Sequence, residues 1–322
     1  LSEAIEIDVD VVADFEPHKA TASRQITLPN DPPQAIVCGV MEHIEQAGIH
    51  SGDSSCVLPP YSLPTSIVNE LRRQACAMAE RLKVRGLMNV QFAVKNETVY
   101  VIEVNPRASR TVPFMSKITG VPMVRLATQI MLGQTLHELG YSPGLWCQSP
   151  LVAVKAPVFS MSKLSGVDTF LGPEMKSTGE VMGVDTEFAS ALHKAMVSAG
   201  LGIPESGTVL MSIADRHKEE STPIAQSFSG CGYTLAATSG TARHLRKFGL
   251  AVEEVGRLSD GNNTIIDNIR GGRTVLVINT LTGDRETLQD GFHMRRAAVE
   301  SQVPCLTSID TARALADAIG AD

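Results

Sequence analysis

The chain has 322 residues, 43% of them hydrophobic and 20% charged. That composition excludes a disordered chain, a collagen-like repeat and a coiled coil, and the length predicts two domains, or one and a half, rather than a single core. Its 28 basic and 35 acidic side chains leave a net charge of −7 with no basic run to track a phosphate backbone, so nucleic acid is not an expected partner. No apolar run approaches the roughly 20 residues of a membrane span. Nor does a basic segment followed by a hydrophobic one open the chain, so no membrane partner is expected and the cytoplasm is the expected location. The six cysteines, at 38, 56, 76, 147, 231 and 305, form no C-x-x-C pair and the eight histidines are as scattered, which favours buried or bystander thiols over a zinc site. The chain opens at Leu1 within a strand-like stretch and is expected to be a piece of something longer.

In chain order, Ala4 to Val12 alternates Ile5, Ile7 and Val9 with Glu6, Asp8 and Asp10, the pattern of a half-buried strand. Prolines at 17, 29, 32 and 33 make Phe15 to Gln34 an irregular insertion before a short strand at Ala35 to Gly39. From Pro64 to Leu82 the spacing of Ile67, Leu71, Ala75, Met78 and Leu82 predicts a helix with Arg72, Arg73 and Glu80 outward. Strands are predicted at Leu87 to Val94 and Thr98 to Val104, a helix around Val121 to Leu132, a joint at Leu139 to Gln148 and a helix near Glu187 to Ala199. From Gly207 onward single strands and single helices alternate: strand 208–213, helix 219–228, strand 233–237, helix 241–248, strand 251–255, helix 264–269, strand 274–279, helix 294–300, strand 303–306 and helix 310–319. That order predicts a separate small α/β domain with a parallel, doubly wound sheet.

The two central strands are predicted to form a hairpin through a three-residue loop, Lys95-Asn96-Glu97, which places Phe92 opposite Tyr100 and Val90 opposite Ile102 on a greasy side. The other side carries Asn89, Gln91 and Glu103, with Asn105 just past the strand end and Arg107 and Arg110 beyond it. A carboxylate with amide oxygens suits a hard divalent ion, and nearby arginines suit anionic reactants. A solvated polar sheet face with arginines in surface pairs fits the same residues equally well.

The run Val90-Gln91-Phe92-Ala93, followed by Ile102-Glu103-Val104-Asn105-Pro106-Arg107-Ala108-Ser109-Arg110, resembles the metal-binding hairpin of ATP-grasp enzymes. More narrowly it is similar to the second synthetase half of the carbamoyl-phosphate synthase large subunit. The phrases Met41 to Ser54 and Leu171 to Gly183 resemble the same family in the same order, so the likeness runs over nearly the whole chain except the insertion between about Phe15 and Gln34.

That resemblance implies an α/β chain in three parts. Residues 1–136 would be the C-terminal part of an ATP-grasp domain, 137–199 a connecting segment, and 200–322 a doubly wound, methylglyoxal-synthase-like allosteric domain. It implies that Gln91, Glu103 and Asn105 hold two Mg²⁺ or Mn²⁺ ions on the ATP phosphates and that Arg107 and Arg110 orient and neutralise the reacting groups. Glu6 and the tract Gly48-Ile49-His50-Ser51 would lie with Gln91 and Glu103 against the nucleotide. The implied reaction is ATP-dependent phosphorylation of carbamate to carbamoyl phosphate, serving pyrimidine and arginine biosynthesis. Its implied partners are a glutamine amidotransferase small subunit and the remainder of the large subunit; homo-oligomerisation stays open. The family's preceding ATP-grasp segment, with its lid and phosphate-binding lysine, is not part of this chain, so little synthetase activity is expected of the chain alone.

In the last domain, Thr238-Ser239-Gly240-Thr241 falls at a strand-to-helix turn suited to an anion, although helix caps use the same residues. The resemblance adds Lys218, Arg257 and Asn279 as contacts for a small phosphorylated effector, a nucleotide or phosphoribosyl compound. Leu281 departs from relatives that place a second threonine there, although Thr280 and Thr282 flank it. For ornithine, Glu45 and Asp53 fit the family pattern while Ala156 and Leu306 do not, and helix-surface and loop-capping roles fit those two carboxylates at least as well. Gly179 and Gly183, after Gly172, are expected at a fold joint, since no strand is predicted to feed a helix there. Met161, Met175 and Met182 are expected to fill gaps and Trp146 to anchor a loop. Two alternatives stand beside the enzyme reading. One is a chain that acts only as an effector-binding module. The other is a methylglyoxal synthase, for which no catalytic aspartate phrase is found.

Overall fold

The computed structural model describes residues 4–15, 35–142, 144–146, 150–163, 166–256, 258, 261, 263–281 and 285–320. The chain divides into two compact units, residues 1–47 with 56–153, and residues 48–55 with 154–322. The segment 48–55 therefore clusters with the carboxyl-terminal unit although its neighbours on both sides belong to the first. Of the insertion expected between Phe15 and Gln34, only Phe15 falls among the described residues.

The first unit is a sheet of β1 (Ile5–Asp14), β2 (Ala35–Gln46), β3 (Cys56–Leu58), β4 (Arg85–Lys95) and β5 (Thr98–Asn105) in the order β5-β4-β1-β2-β3, with β6 (Gly144–Leu145) parallel to β2. The other pairings in the unit are antiparallel. The helix α1 (Thr65–Arg81) lays Ile67, Leu71, Ala75 and Ala79 on Ile7, Val9, Val11, Val37, Val90 and Phe92, and these form one core. A four-residue spacing drifts slowly around a helix of 3.6 residues per turn, so Ala79 rather than Met78 completes the stripe. Leu82, expected inside, caps the helix at 53% exposure.

The first strand departs from its expected half-buried character: Asp8 and Asp10 are as buried as Val9 and Val11. The cause is a second layer on the opposite face, made by α2 (Val112–Thr119) and α3 (Met123–Met131), which contact β2, β1 and β4. Contact there is close, because a Cβ on Gly39 would stand 2.6 Å from the Met115 sulfur. The strand expected at Ala35 to Gly39 continues to Gln46, and α2 forms where the sequence pattern predicts no helix. Trp146 anchors as expected, its indole N–H donating to the Thr119 carbonyl at 2.9 Å.

In the second unit β7 (Val152–Val158) lies beside β8 (Gly179–Asp185), which leads within a few residues into α4 (Phe188–Ser198). This corrects the expectation that no strand feeds a helix near Gly183. A Cβ on Gly183 would meet the Ala191 carbonyl oxygen at 2.0 Å and the Ala195 nitrogen at 2.4 Å, so the glycine sets how closely strand and helix approach. Met161 is buried, but Met175 is half-exposed and fills no gap.

The alternation that follows is regular. It runs β9 (Thr208–Ser212), α5 (Lys218–Gly230), β10 (Thr234–Thr238), α6 (Ser239–Lys247), β11 (Val252–Val255), α7 (Thr264–Arg270), β12 (Thr274–Asn279), α8 (Arg285–Glu300), β13 (Cys305–Leu306) and α9 (Ile309–Gly320). The strands form a parallel five-stranded sheet in the order β11-β10-β9-β12-β13. Leu210, Ala236 and Val277 pack under Ile265, Ile269, Met294 and Ala297 in its core. Chain direction across the sheet reverses between β9 and β12, and at such a switch point the carboxyl ends of the strands leave a crevice. Cys38 and Cys56 are buried and Cys76, Cys231 and Cys305 half-buried, none of them in a disulfide, while Cys147 lies outside the described residues.

Candidate functional site

The hairpin forms, but its register differs from the expected one. Asn96 and Glu97 alone make the turn, with φ of 50° and 59°, and Lys95 pairs with Thr98. Two residues with positive φ give a turn whose twist matches the flanking strands. Near the tip Phe92 therefore faces Val101 and Ala93 faces Tyr100, not Phe92 with Tyr100. Between Gln91 and Phe92 the register shifts, leaving Ile102 as the extra residue of a bulge; Val90 then faces Val104 rather than Ile102. Beyond it Gln91 lies directly opposite Glu103 and Asn89 opposite Asn105. The shift restores the parity of the face, so the amides and the carboxylate stand side by side.

Glu103 is exposed, and its Oε1 accepts from the Asn105 Nδ2 at 2.8 Å. Arg107 and Arg110 are exposed just past β5; the Arg107 amide donates to the Asn105 carbonyl at 2.8 Å and its guanidinium to the Ala108 carbonyl at 2.9 Å. Gln91, Glu103 and Asn105 thus share one face at the base of the hairpin, and the chain that leaves β5 carries Arg107 and Arg110 within five residues of Asn105. Among the described residues no group of three His, Cys, Asp or Glu side chains could hold a metal. The fit here is instead that of one carboxylate with two amide oxygens, open to solvent and suited to a hard cation that keeps part of its shell for another ligand.

A buried polar row that the sequence pattern does not single out lies beside these residues, one strand further into the sheet on the same face. Asp8 is paired to Gln91 and Asp10 to Asn89 across β1 and β4. The Asn89 amide donates to both carboxylates, at 3.3 and 3.1 Å, and His43 Nε2 meets Asp8 at 2.9 Å. Ser109 donates to Asp10 at 2.8 Å and the Thr111 hydroxyl also bonds it, so β1 holds down the segment that carries Arg107 and Arg110. Burial raises the Asp10 pKa to about 6 against the lowering effect of these donors, with Asp8 adding to the rise. Burial opposes the charged form of His43, yet contacts with Cys56 and Asp8 raise its pKa well above the ordinary value. Glu6 is also buried in β1, opposite Ala93.

The tract Gly48-Ile49-His50-Ser51 belongs to the second unit, whereas Glu6, Gln91 and Glu103 belong to the first. Gly48 takes φ 113°, which only glycine adopts readily. His50 caps the short turn after it, its Nδ1 accepting from the Gly52 N–H at 3.0 Å, while its own N–H donates to the Gly172 carbonyl at 2.8 Å. Lys155, only 1% exposed, donates to the Ser51 carbonyl at 2.9 Å. Asp53 is fully buried and accepts from the backbone N–H groups of Lys176 and Ser177 at 2.8 Å, the expected loop-capping role. Glu45 is not on a helix surface but buried in β2.

At the carboxyl end of the parallel sheet the structure brings together Lys218, Thr238, Thr241 and Asn279. Thr241 accepts from the Ile213 N–H at 3.1 Å and lies 3.5 Å from the Thr238 hydroxyl. The Lys218 ammonium would stand 3.2 Å from a Cβ on Gly240, at the first turn of α6, and is paired with Asp215. Asn279, paired with Ser212 at the switch point, is buried; its Nδ2 donates to the Ser212 carbonyl at 3.2 Å and its Oδ1 accepts from Arg295 at 2.5 Å. Arg257 lies outside the described residues.

Residues 28–139 match the family model described as carbamoyl-phosphate synthase L chain, ATP binding domain, and residues 220–307 match that of the MGS-like domain. The carbamoyl phosphate synthase large chain of Thermomicrobium roseum is 53% identical over 287 residues, 89% of this chain and 27% of that protein, so the chain spans about a quarter of its curated relative. Among solved structures the chain is similar to the biotin carboxylase domain of a single-chain bacterial carboxylase, at 19% identity and a TM-score of 0.44, covering 62% of this chain and 47% of that one. It is also similar to a single-chain, multi-domain long-chain acyl-CoA carboxylase, at 19% identity and a TM-score of 0.46, covering 61% and 22%. The match to an ATP-binding model supports the enzyme reading over that of an isolated effector module. With an ATP-grasp part and an MGS-like part in the expected order, the chain belongs to the carbamoyl-phosphate synthase large-chain family, as its carboxyl-terminal portion.

Proposed function

We propose that this chain supplies part of an ATP-dependent carbon–nitrogen ligase, the glutamine-hydrolysing carbamoyl-phosphate synthase, and contributes to the phosphorylation of carbamate. In that step a carbamate oxygen forms a bond to the γ-phosphorus of ATP, the bond from that phosphorus to the β–γ bridging oxygen breaks, and ADP leaves with the bonding pair. The observation that carries the reading is the direct opposition of Gln91 and Glu103, with Asn105 bonded to Glu103. Gln91, Glu103 and Asn105 would hold Mg²⁺ or Mn²⁺, which when bound neutralises phosphate charge. Arg107 and Arg110 orient the anionic reactants, and the Asp10 contacts to Ser109 and Thr111 fix the segment that presents them. Glu6 and residues 48–51 would contact the nucleotide.

The remaining parts follow from the same reading. The ATP-grasp part takes residues 1–136, the connecting segment 137–199 and the effector domain 200–322. Lys218, Thr238, Thr241 and Asn279 receive a small phosphorylated effector at the strand ends, with Arg257 assigned to the same effector on the resemblance alone. The rest of the large subunit and a glutamine amidotransferase small subunit supply carbamate and ammonia in the cytoplasm. The test is Glu103→Ala in the reconstituted full enzyme. Loss of a metal ligand should lower Mn²⁺ affinity and carbamoyl-phosphate formation by about 10- to 100-fold or more. Unchanged formation from carbamate would overturn the assignment.

A further inference from the structure

Arg295, on α8, is one of the largest fully buried side chains among the described residues. Its guanidinium grips Asp168 bidentately, Nε to Oδ1 at 2.7 Å and Nη2 to Oδ2 at 2.6 Å, and its Nη1 donates to the Asn279 Oδ1 at 2.5 Å. An arginine can only donate, so this contact fixes which end of the Asn279 amide is oxygen and leaves Nδ2 on the Ser212 carbonyl. The fork reaches Asn279 because Gly291 lies one turn earlier in α8: a Cβ there would stand 2.8 Å from Nη1 and 3.1 Å from Asn279 Oδ1.

The contacts continue from Asp168. Its Oδ1 accepts from the Phe170 N–H at 3.2 Å, and its carbonyl accepts the Lys176 ammonium at 3.1 Å, which also bonds the Phe170 carbonyl. Backbone N–H groups of Lys176 and Ser177 then hold the Asp53 carboxylate, and the Ser177 hydroxyl donates to the Gly52 carbonyl at 2.8 Å. Gly172 receives the His50 N–H. An unbroken set of hydrogen bonds within the second unit thus runs from Asn279 to residues 50–53.

We propose that Arg295 is a positioning residue: it sets the Asn279 amide for the effector and carries occupancy at Asn279, through Asp168 and residues 168–177, to the tract His50 to Asp53. This rests on the proposed function for the effector contact at Asn279 and the nucleotide contact at residues 48–51. A ligand that draws the Asn279 oxygen away strips a buried guanidinium of one acceptor. Leaving such a donor unpaired is costly, so the fork and its Asp168 partner must shift together. Both sites then bias one element, which is what coupling between them requires.

The experiment is hydrogen–deuterium exchange on the full chain for wild type, Arg295→Lys and Asp168→Asn, first without ligand. Lysine keeps the charge but not the fork. Both variants are expected to speed exchange at the Lys176 and Ser177 amides about tenfold, the loss of one charge-assisted bond, while α5 and β9 exchange as in wild type. Next, AMP, UMP or inorganic phosphate is added. In wild type, protection at 279–280 is expected to be accompanied by a change at 170–177 and 50–55, and in Arg295→Lys that distant change is lost while the change near 238–241 remains. Exchange at 170–177 identical to wild type in both variants would overturn the proposal, as would a distant ligand response that survives Arg295→Lys. If none of the three probes binds wild type, the effector reading fails for them, and the ligand-free comparison still decides whether Arg295 holds residues 168–177. Should Arg295→Lys loosen α5 and β9 as well, the half-exposed Asp168 carries the test.

Discussion

Asp10 offers the sharpest energetic test of the buried polar row beside the hairpin. Burial raises its pKa from 3.8 to about 6, even though Thr111, Ser109 and Asn89 all donate to it. An acid whose folded-state pKa lies above its unfolded value contributes stability in full below the unfolded value, and that contribution is lost as pH rises through the folded one. The window for Asp10 therefore runs from about pH 4 to about pH 6. At roughly 1.4 kcal/mol per pKa unit the contribution is on the order of 3 kcal/mol. The only tryptophan, Trp146, lies in the same unit as Asp10, so its fluorescence during urea unfolding reports on that unit. The measurement is the stability of wild type minus that of Asp10→Asn from pH 4 to pH 7. That gap should fall by about 3 kcal/mol as pH rises, whatever pH-independent cost the asparagine carries. A gap that is flat across the range, or that widens with pH, would refute the account of Asp10 as an acid held in a desolvated site.

Two further substitutions probe backbone geometry. Gly183→Ala should lower stability by about 3 kcal/mol or more, because its Cβ meets main-chain atoms of α4 that cannot give way as a side-chain tip can; a thermal transition that does not move would show that strand and helix separate freely there. Glu97→Gly should stabilise the hairpin by about 0.5–1 kcal/mol, since Glu97 sits at φ 59° in a turn that glycine adopts without steric cost. Trp146 fluorescence reads that change too, and a loss of stability would mean the turn is not strained.

Periodicity explains what could be read in advance. The stripe Ile67, Leu71, Ala75 and the strand–helix alternation after Gly207 are local patterns, and each appears close to its expected place. Asp8 and Asp10 were legible as an alternating acidic face, but not as a buried one. Their partners Asn89, Ser109 and Thr111 lie about 80 to 100 residues away, and the helices that cover them have no signal within β1. The hairpin register was missed for a related reason. Choosing a two-residue turn over a three-residue loop depends on Asn96 and Glu97 both accepting positive φ, and the bulge at Ile102 has no signature in neighbouring residues. The face of Gln91 and Glu103 was nevertheless read correctly, because two successive one-residue errors cancel in a period of two. Arg295 and Asp168 were invisible as a pair, being 127 residues apart.

The bulge at Ile102 also divides the pairing of β4 with β5 into two stretches of different register. Ala93 and Val94 are buried against β1, but the turn residues Asn96 and Glu97 can be lengthened or replaced by a reporter peptide, and a slip that starts there is separated from the ligand-bearing base by the bulge. The tip is therefore a natural place to attach a dye or an affinity handle that leaves Gln91 and Glu103 facing each other, and a place where family members could vary in length with the chemistry unchanged.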